Sequence, residues 1–416
     1  MLPSRGLNVF GTMGARELSD VEISQAVDRA SEMLKDVPLE DLNDSEVLTR
    51  RATEATQTVI QNLGLQAGPV SVARIANQVV ARLGGMGFLH DYLPPQRTDL
   101  SEIAVTPDGK VWIQKKGDQD FLPVDIRPSH DDVQRSVMAL LAPIRRAVDE
   151  SSPSVDAKLP RMEGMGGARV KILHPCIVPG KGFHSINIRL FEEKPVTMEK
   201  LLEWNMAPEK VLRTLSEWIG TREARTIICG GTGTGKTTFQ SALCNTGIPK
   251  NFRIIKIEDP EEIYLNLPHV VSIEARPAPP GSKIPSYTVT DGVNDAMRMT
   301  PKILIVGEIR RGDQAMAFFR AIMSDHPGLT TFHAESPEDA VYRMSVIMYT
   351  DVGVRMEAAK QIFALACDIF CQLGWHEGRR VLAGVWEVGR QLRNGDVTFN
   401  PLYVFGDAEM RPMTRR

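Results

Sequence analysis

Apolar positions recur every three or four residues through 16–36 (RELSDVEISQAVDRASEMLKD), 44–63 and 71–83, with Gly64, Gly68 and Gly84 at the stops. That spacing predicts three helices. Near 102 the pattern changes: EIAVTPDGKVWIQ holds two alternating runs joined by Pro107-Asp108-Gly109, which predicts a hairpin. A helix follows over 131–148, and VDAKLP, ARVKILH and HSINIRLF then read as strands, the first two separated by the glycine-rich MEGMGGA. After Pro195, VTMEKLLEWNMAPEK carries a short helix into a connection. From about 207 the chain reads helix, strand, glycine-rich loop, helix, strand. That alternation predicts a mostly parallel sheet covered by helices. The expected organisation is a helical region over 1–88, a smaller α/β domain over 89–195, a linker over 196–210 and a larger α/β domain over 211–416. No internal repeat is visible.

A chain of 416 residues is long for one domain and suits two or three, each able to bury a core. Acidic and basic residues nearly balance at a formal net charge of -3, so bulk charge supplies no footprint for nucleic acid, and no direct nucleic-acid binding is expected. Apolar runs such as VMALLAP (137–143) fall short of a membrane span, and the amino terminus lacks a signal-peptide apolar core. The expected location is cytoplasmic. Five cysteines lie mostly inside apolar runs, where thiols behave as small hydrophobes. Cys367 and Cys371 have no second pair or histidine cluster to complete a zinc site.

GGTGTGKTTF, from Gly230 to Phe239, follows the β-branched run TIIC and precedes an apolar stretch, the strand, loop and helix of a phosphate-binding loop. In such a loop successive backbone N–H groups wrap the phosphates of a nucleotide. Gly231, Thr232, Gly233, Thr234 and Gly235 form the wrap, and Lys236 faces the β/γ oxygens. Thr237 offers a hydroxyl to magnesium, with Thr238 beside it on the helix whose positive end faces the anion. A glycine-rich turn is the competing reading, and its context argues against it.

Two apolar strands end in carboxylates: IIKIEDPEEI (254–263) in Glu258, Asp259, Glu261 and Glu262, and ILIVGEIR (303–310) in Glu308. Strand-end acids beside a phosphate loop are where a nucleotide enzyme holds magnesium and orients water; either motif alone would read as solvated acids. His333, in LTTFHAES, follows another apolar run, where it senses the γ-phosphate, couples the sheet to a neighbouring subunit, or simply packs.

The ordered set GGTGTGKTT, IEDPEE, SIEARP, AMRMTPKILIVGEIR and TTFHAESPEDAVYRM resembles the secretion ATPase superfamily of type II and type IV secretion, conjugation and pilus motors. EARP (274–277), DIFCQL and the closing hairpin WEVGRQLRNGDVTFNPLYVF look most like its tight-adherence-pilus and conjugative type IV branches. The resemblance implies a RecA-like P-loop ATPase domain preceded by a PAS-like α/β domain. It also implies ATP and Mg2+ as ligands, a homo-hexameric ring, and inner-membrane secretion or pilus-assembly partners through which the protein is peripheral to the membrane. Carried over by motif, Lys236 and Thr237 become the phosphate and magnesium ligands, Glu262 the acid-box glutamate that orients water, Glu308 the Walker B glutamate and His333 the histidine-box residue. ARVKILHP and INIRLF match the two arginine positions of the amino-terminal domain, so Arg169 and Arg189 would approach the phosphates; a surface ion pair is the other reading. Arg276, Arg298 and Arg310 match family positions and would otherwise pair with neighbouring acids. Two positions depart from the pattern: Ser324-Asp325-His326 replaces a Thr-Gly-His turn, and Glu335 stands where asparagine is common. The four-cysteine zinc module of type II secretion ATPases is missing. A DNA-directed P-loop motor and a non-hydrolysing nucleotide-dependent scaffold are the alternative functions.

Overall fold

The structure, a computed structural model, describes residues 18–34, 45–84, 86–118, 120–144, 146–161, 164–278, 283–324 and 326–414. Two compact units divide the chain, Met1–Phe191 and Glu192–Arg416.

The first unit begins with three helices, α1 (Asp20–Met33), α2 (Ser45–Asn62) and α3 (Pro69–Gly84). The predicted ends at 16–17, 35–36 and 44 lie outside the described residues. Ser19 and Glu22 form a reciprocal capping box that starts α1. Ala26, Ala30, Ala52, Val59, Ile75 and Val79 form a shared core, the apolar stripes that the spacing predicted. Six antiparallel strands follow in the order β3-β2-β1-β6-β5-β4. They are β1 (Leu100–Val105), β2 (Val111–Lys115), β3 (Leu122–Val124), β4 (Ser154–Leu159), β5 (Ala168–Leu173) and β6 (Ser185–Leu190). The predicted hairpin is the β1–β2 pair, in which Val105 faces Val111. Helix α4 (His130–Leu141) covers the buried face through Val133, Val137 and Leu140. It ends at 141 rather than 148, passing into a tighter turn over Ala142–Ile144, because Pro143 has no N–H to continue the helical ladder. In the glycine-rich stretch MEGMGGA between β4 and β5, Met162 and Glu163 lie outside the described residues.

The second unit is built on eight strands in the order β14-β13-β12-β7-β11-β10-β8-β9. These are β7 (Thr226–Gly230), β8 (Ile254–Glu258), β9 (Val270–Glu274), β10 (Ile303–Glu308), β11 (Gly328–Phe332), β12 (Ile369–His376), β13 (Arg379–Val388) and β14 (Phe399–Val404). From β12 to β9 every neighbour is parallel, and β13 and β14 add an antiparallel hairpin at one edge. Helices α5 (Met198–Glu203), α6 (Glu209–Gly220), α7 (Lys236–Gly247), α8 (Val289–Ala296), α9 (Gly312–Met323), α10 (Pro337–Val352) and α11 (Met356–Ala366) complete it. Strand β7 shows why its run reads as continuously apolar. Ile228 enters the core that holds Leu215 and Phe239, while Ile227 and Cys229 enter the opposite one with Phe318 and Phe370. The backbone N–H and guanidinium of Arg225 grip the fully buried Asp368 through three bonds of 2.9–3.0 Å. This two-pronged ion pair aligns the starts of β7 and β12. Residues 196–210, expected to be a linker, contribute Met198, Leu201, Met206 and Ala207 to the core of this unit.

Among the described residues no helix is long and apolar enough to cross a membrane.

Candidate functional site: the carboxyl edge of the parallel sheet

Strands β7, β11, β10 and β8 run in the same direction, so Gly230, Phe332, Glu308 and Glu258 end them along one edge. Open α/β sheets bind their ligands at this edge. The loop after β7 turns sharply into α7, with Gly235 at φ 87° as the residue before the first helical turn, a conformation that glycine adopts without steric cost. The N–H groups of Thr232, Gly233, Thr234 and Gly235 meet no acceptor among the described residues. Four adjacent backbone donors above the positive end of a helix fit the phosphates of a nucleotide.

The loop is braced from three sides. Lys236 Nζ donates to the carbonyls of Gly230 and Gly231 at 2.9 Å each, and Thr234 Oγ1 donates to Gly231 O at 2.9 Å. His333, at the end of β11, has Nδ1 2.9 Å from Gly230 O and Nε2 2.6 Å from Thr232 Oγ1. A carbonyl only accepts, so Nδ1 carries a proton; in the neutral ring Nε2 accepts from the threonine. His333 is thus joined directly to the phosphate loop. Arg380, on β13, donates from Nε to Gly233 O at 2.7 Å, with its guanidinium 5.1 Å from the Trp375 ring centre. No feature of the sequence near 380 points to this contact.

Glu258 ends β8 almost fully buried, at 4% exposure. Its Oε1 accepts from the N–H groups of Glu262 and Ile263 at 2.9 and 2.8 Å, and its Oε2 accepts from Lys256 Nζ at 2.8 Å. Burial pushes this carboxyl above the usual carboxylate range, against the opposing pull of Lys256. Of the four acids in the turn, Glu258 is therefore held by the fold. The Glu262 carboxylate makes no hydrogen bond or ion pair among the described residues. Beyond the turn the chain returns to α7, where Ser241 Oγ and Asn245 Nδ2 donate to Tyr264 O at 2.7 and 2.9 Å and Asn245 Oδ1 accepts from Asn266 N–H at 2.7 Å. Ser241 is one helical turn from Thr237, on the same face of α7. The acid turn is thereby carried from β8 back to the helix that follows the phosphate loop.

Glu308 ends β10 beside this turn. Its Oε2 accepts from Arg310 Nε at 2.6 Å, and Arg310 Nη1 reaches Asp259 O at 3.4 Å, so one arginine bridges the two acidic motifs. Arg276 instead donates to Pro285 O at 3.0 Å. Thr237 and Glu308 are the residues that would hold magnesium. Among the described residues no group of three or more His, Cys, Asp or Glu side chains is placed to hold a metal ion. Gly307 is required by proximity: a Cβ there would lie 2.9 Å from Glu258 Cγ. Because three hydrogen bonds to its carboxylate hold Glu258 in place, Gly307→Ala is expected to lower the unfolding free energy in urea by about 1–3 kcal/mol. An unchanged midpoint would show that Glu258 moves freely.

Arg169 and Arg189 lie in the first unit as direct cross-strand partners on β5 and β6, in a row with Lys158 and Glu102 on the flanking strands. Ala168, Val170, Ile186 and Ile188 beside them are buried, so both arginines point to the outer face. Neither makes an ion pair among the described residues. Asp325 of the departing turn lies outside the described residues.

A phosphate loop at the carboxyl edge of a parallel sheet, with acids on the neighbouring strand ends, defines a RecA-like nucleotide-binding domain. Residues 96–367 match the family model described as Type II/IV secretion system protein, and the chain belongs to that family. A putative conjugal transfer protein of Mycobacterium tuberculosis is 30% identical over 268 residues, covering 64% of this chain and 73% of the relative. An uncharacterized protein of Methanocaldococcus jannaschii is 31% identical over 269 residues, which is 63% of this chain and only 35% of that longer protein. The X-ray structure of the Legionella pneumophila ATPase DotB shares the fold at a TM-score of 0.51 and 19% identity, over 69% of this chain and 77% of that one.

Proposed function

We propose that this chain hydrolyses ATP as the motor subunit of a homo-hexameric ring, cytoplasmic and peripheral to the inner membrane, that powers type IV secretion, conjugal transfer or pilus assembly. The observation that carries the reading is the set of unpaired loop N–H groups above α7, with the Glu262 turn tied to the same helix. Thr237 and Glu308 hold magnesium, which when bound offsets charge on the β and γ phosphates. Lys236 leaves its two loop carbonyls to face the γ-phosphate, and Glu262 orients the attacking water. His333 bonds both to the loop and to its threonine, and so senses a displacement of Thr232 when the γ-phosphate is lost.

Arg169 and Arg189 add positive charge to the nucleotide. Two like charges directly opposite on neighbouring strands repel each other, and a polyanion relieves that cost. Only a contact that differs between the ATP and ADP states can move a conformational equilibrium, and arginine to γ-phosphate is such a contact. Arg169→Ala and Arg189→Ala are each expected to lower turnover by about tenfold to a hundredfold, less than a single arginine finger supplies because two share the charge. Normal turnover in both variants removes the arginines from the mechanism.

The test of the whole reading is phosphate release with ATP and Mg2+, measured together with particle mass in a non-hydrolysable ATP analogue. Turnover by a hexamer supports it. Tight binding without turnover favours the scaffold, and turnover that requires DNA favours the DNA-directed motor.

A further inference from the structure

Lys256 is an oddity in β8, where three isoleucines surround it before the strand ends in Glu258. It is 3% exposed, and a lysine is rarely so deep without partners. Its ammonium has three, matching its three protons: Glu258 Oε2 at 2.8 Å, Glu261 Oε1 at 2.6 Å and Ile263 O at 2.8 Å. Two of these lie in the turn that follows β8, and the third, Glu258, itself accepts the N–H groups of Glu262 and Ile263. Lys256 thus grips residues 261 and 263 directly and 262 through Glu258. Glu262 is the only residue between those two anchors, and its own carboxylate is left unengaged.

We propose that Lys256 is a positioning residue for the reaction: with Glu258 and Glu261 it fixes the turn so that the Glu262 carboxylate is held toward α7 without a competing partner. The proposal rests on the reading of Glu262 as the group that orients water. Its physical basis is that a catalytic carboxylate must be rigid yet unpaired, and a lysine that hydrogen-bonds both neighbouring carboxylates, and so keeps them occupied, meets both needs. Without it, the buried Glu258 would lose the cation that opposes its desolvation, and the turn would lose its central donor.

The test uses the full chain with Lys256→Met and, as a milder change at a side chain 37% exposed, Glu261→Gln. Three quantities are measured: turnover, affinity for a non-hydrolysable ATP analogue, and amide hydrogen exchange at Glu262 and Ile263. For Lys256→Met, turnover is expected to fall by about a hundredfold, the cost of a small misplacement of a catalytic group. Exchange at the two amides should rise by about tenfold as their acceptor loosens, and analogue affinity should hold within about threefold. Glu261→Gln should shift turnover and exchange in the same direction by a smaller factor. Combined with Glu262→Gln, Lys256→Met should add no further loss. Unchanged exchange at Glu262 and Ile263 overturns the proposal, as does a loss in Lys256→Met that multiplies with that of Glu262→Gln. If Lys256→Met does not fold, Glu261→Gln decides by the same readings. Faster exchange with lowered turnover, beside a normal Glu262→Gln enzyme, upholds the fixed turn and instead removes Glu262 as the water-orienting group.

Discussion

Lys236→Ala is expected to lower ATP turnover by at least about a thousandfold and to weaken nucleotide binding, while leaving the melting temperature of the protein unchanged. The first part follows from charge: the ammonium is the one side-chain cation that the loop itself supplies to the β/γ oxygens, and removing a preorganised group of this kind costs about a hundredfold to a thousandfold even when it is neutral. The second part follows from the bonding of the loop. Lys236 donates to Gly230 O and Gly231 O, yet Gly230 O also accepts from His333 Nδ1 and Gly231 O from Thr234 Oγ1. Neither carbonyl is orphaned by the substitution, so no unsatisfied buried acceptor is created. Phosphate release and thermal unfolding, each with and without Mg2+ and nucleotide, check the two parts together. Full turnover contradicts the assignment of the loop; a large drop in melting temperature without nucleotide shows that the ammonium braces the empty loop more than its two carbonyl contacts indicate.

The features legible in the sequence are those whose physical cause is local. The loop Gly231–Gly235 and α7 were readable because strand, turn and helix are contiguous and the turn needs glycine where φ is positive. The three amino-terminal helices were readable from their apolar stripes, and the β1–β2 hairpin from alternation around Pro107-Asp108-Gly109, while the β13–β14 hairpin was named only through the family resemblance. What was not legible depends on pairing between distant segments. Arg380 meets Gly233 only because β13 lies beside β12, and β12 beside β7. Ser241 and Asn245 look like ordinary polar positions on a helix until the chain past Ile263 comes back to them. Lys256 interrupts an apolar run without announcing its partners, since the three acceptors come from strand end and turn together. The division of labour among the four acids after β8 was equally hidden. Spacing cannot tell that Glu258 is buried and bonded while Glu262 is not, because that difference is made by the path of the turn. The segment 196–210 was expected to be a linker from its position after a proline; its apolar side chains instead fill a gap beside α6 and α7.

The last prediction turns on that division. Glu262→Gln is expected to lower turnover by about a hundredfold to a thousandfold with analogue affinity unchanged within about twofold, because the loss falls on the transition state and not on the ground state. The substitution is nearly isosteric, and the contact that places the residue runs through its backbone: Glu262 N–H donates to Glu258 Oε1 whichever side chain it carries. The carboxylate it replaces has no partner among the described residues whose loss would be felt in folding. A glutamine still offers a carbonyl oxygen to a water but lacks the charge that favours a developing hydroxide, so orientation survives in part and activation does not. Glu308→Gln is the informative contrast. There the lost charge releases Arg310, which also reaches Asp259 O, so both the proposed metal site and the brace between the acidic motifs are disturbed, and nucleotide affinity in Mg2+ is expected to fall with turnover. A pre-steady-state measurement of phosphate release, with analogue affinity determined with and without Mg2+, separates the two variants. If Glu262→Gln turns over normally while Glu308→Gln does not, the water is oriented from β10, and the turn after β8 serves to hold the strand ends together through Arg310.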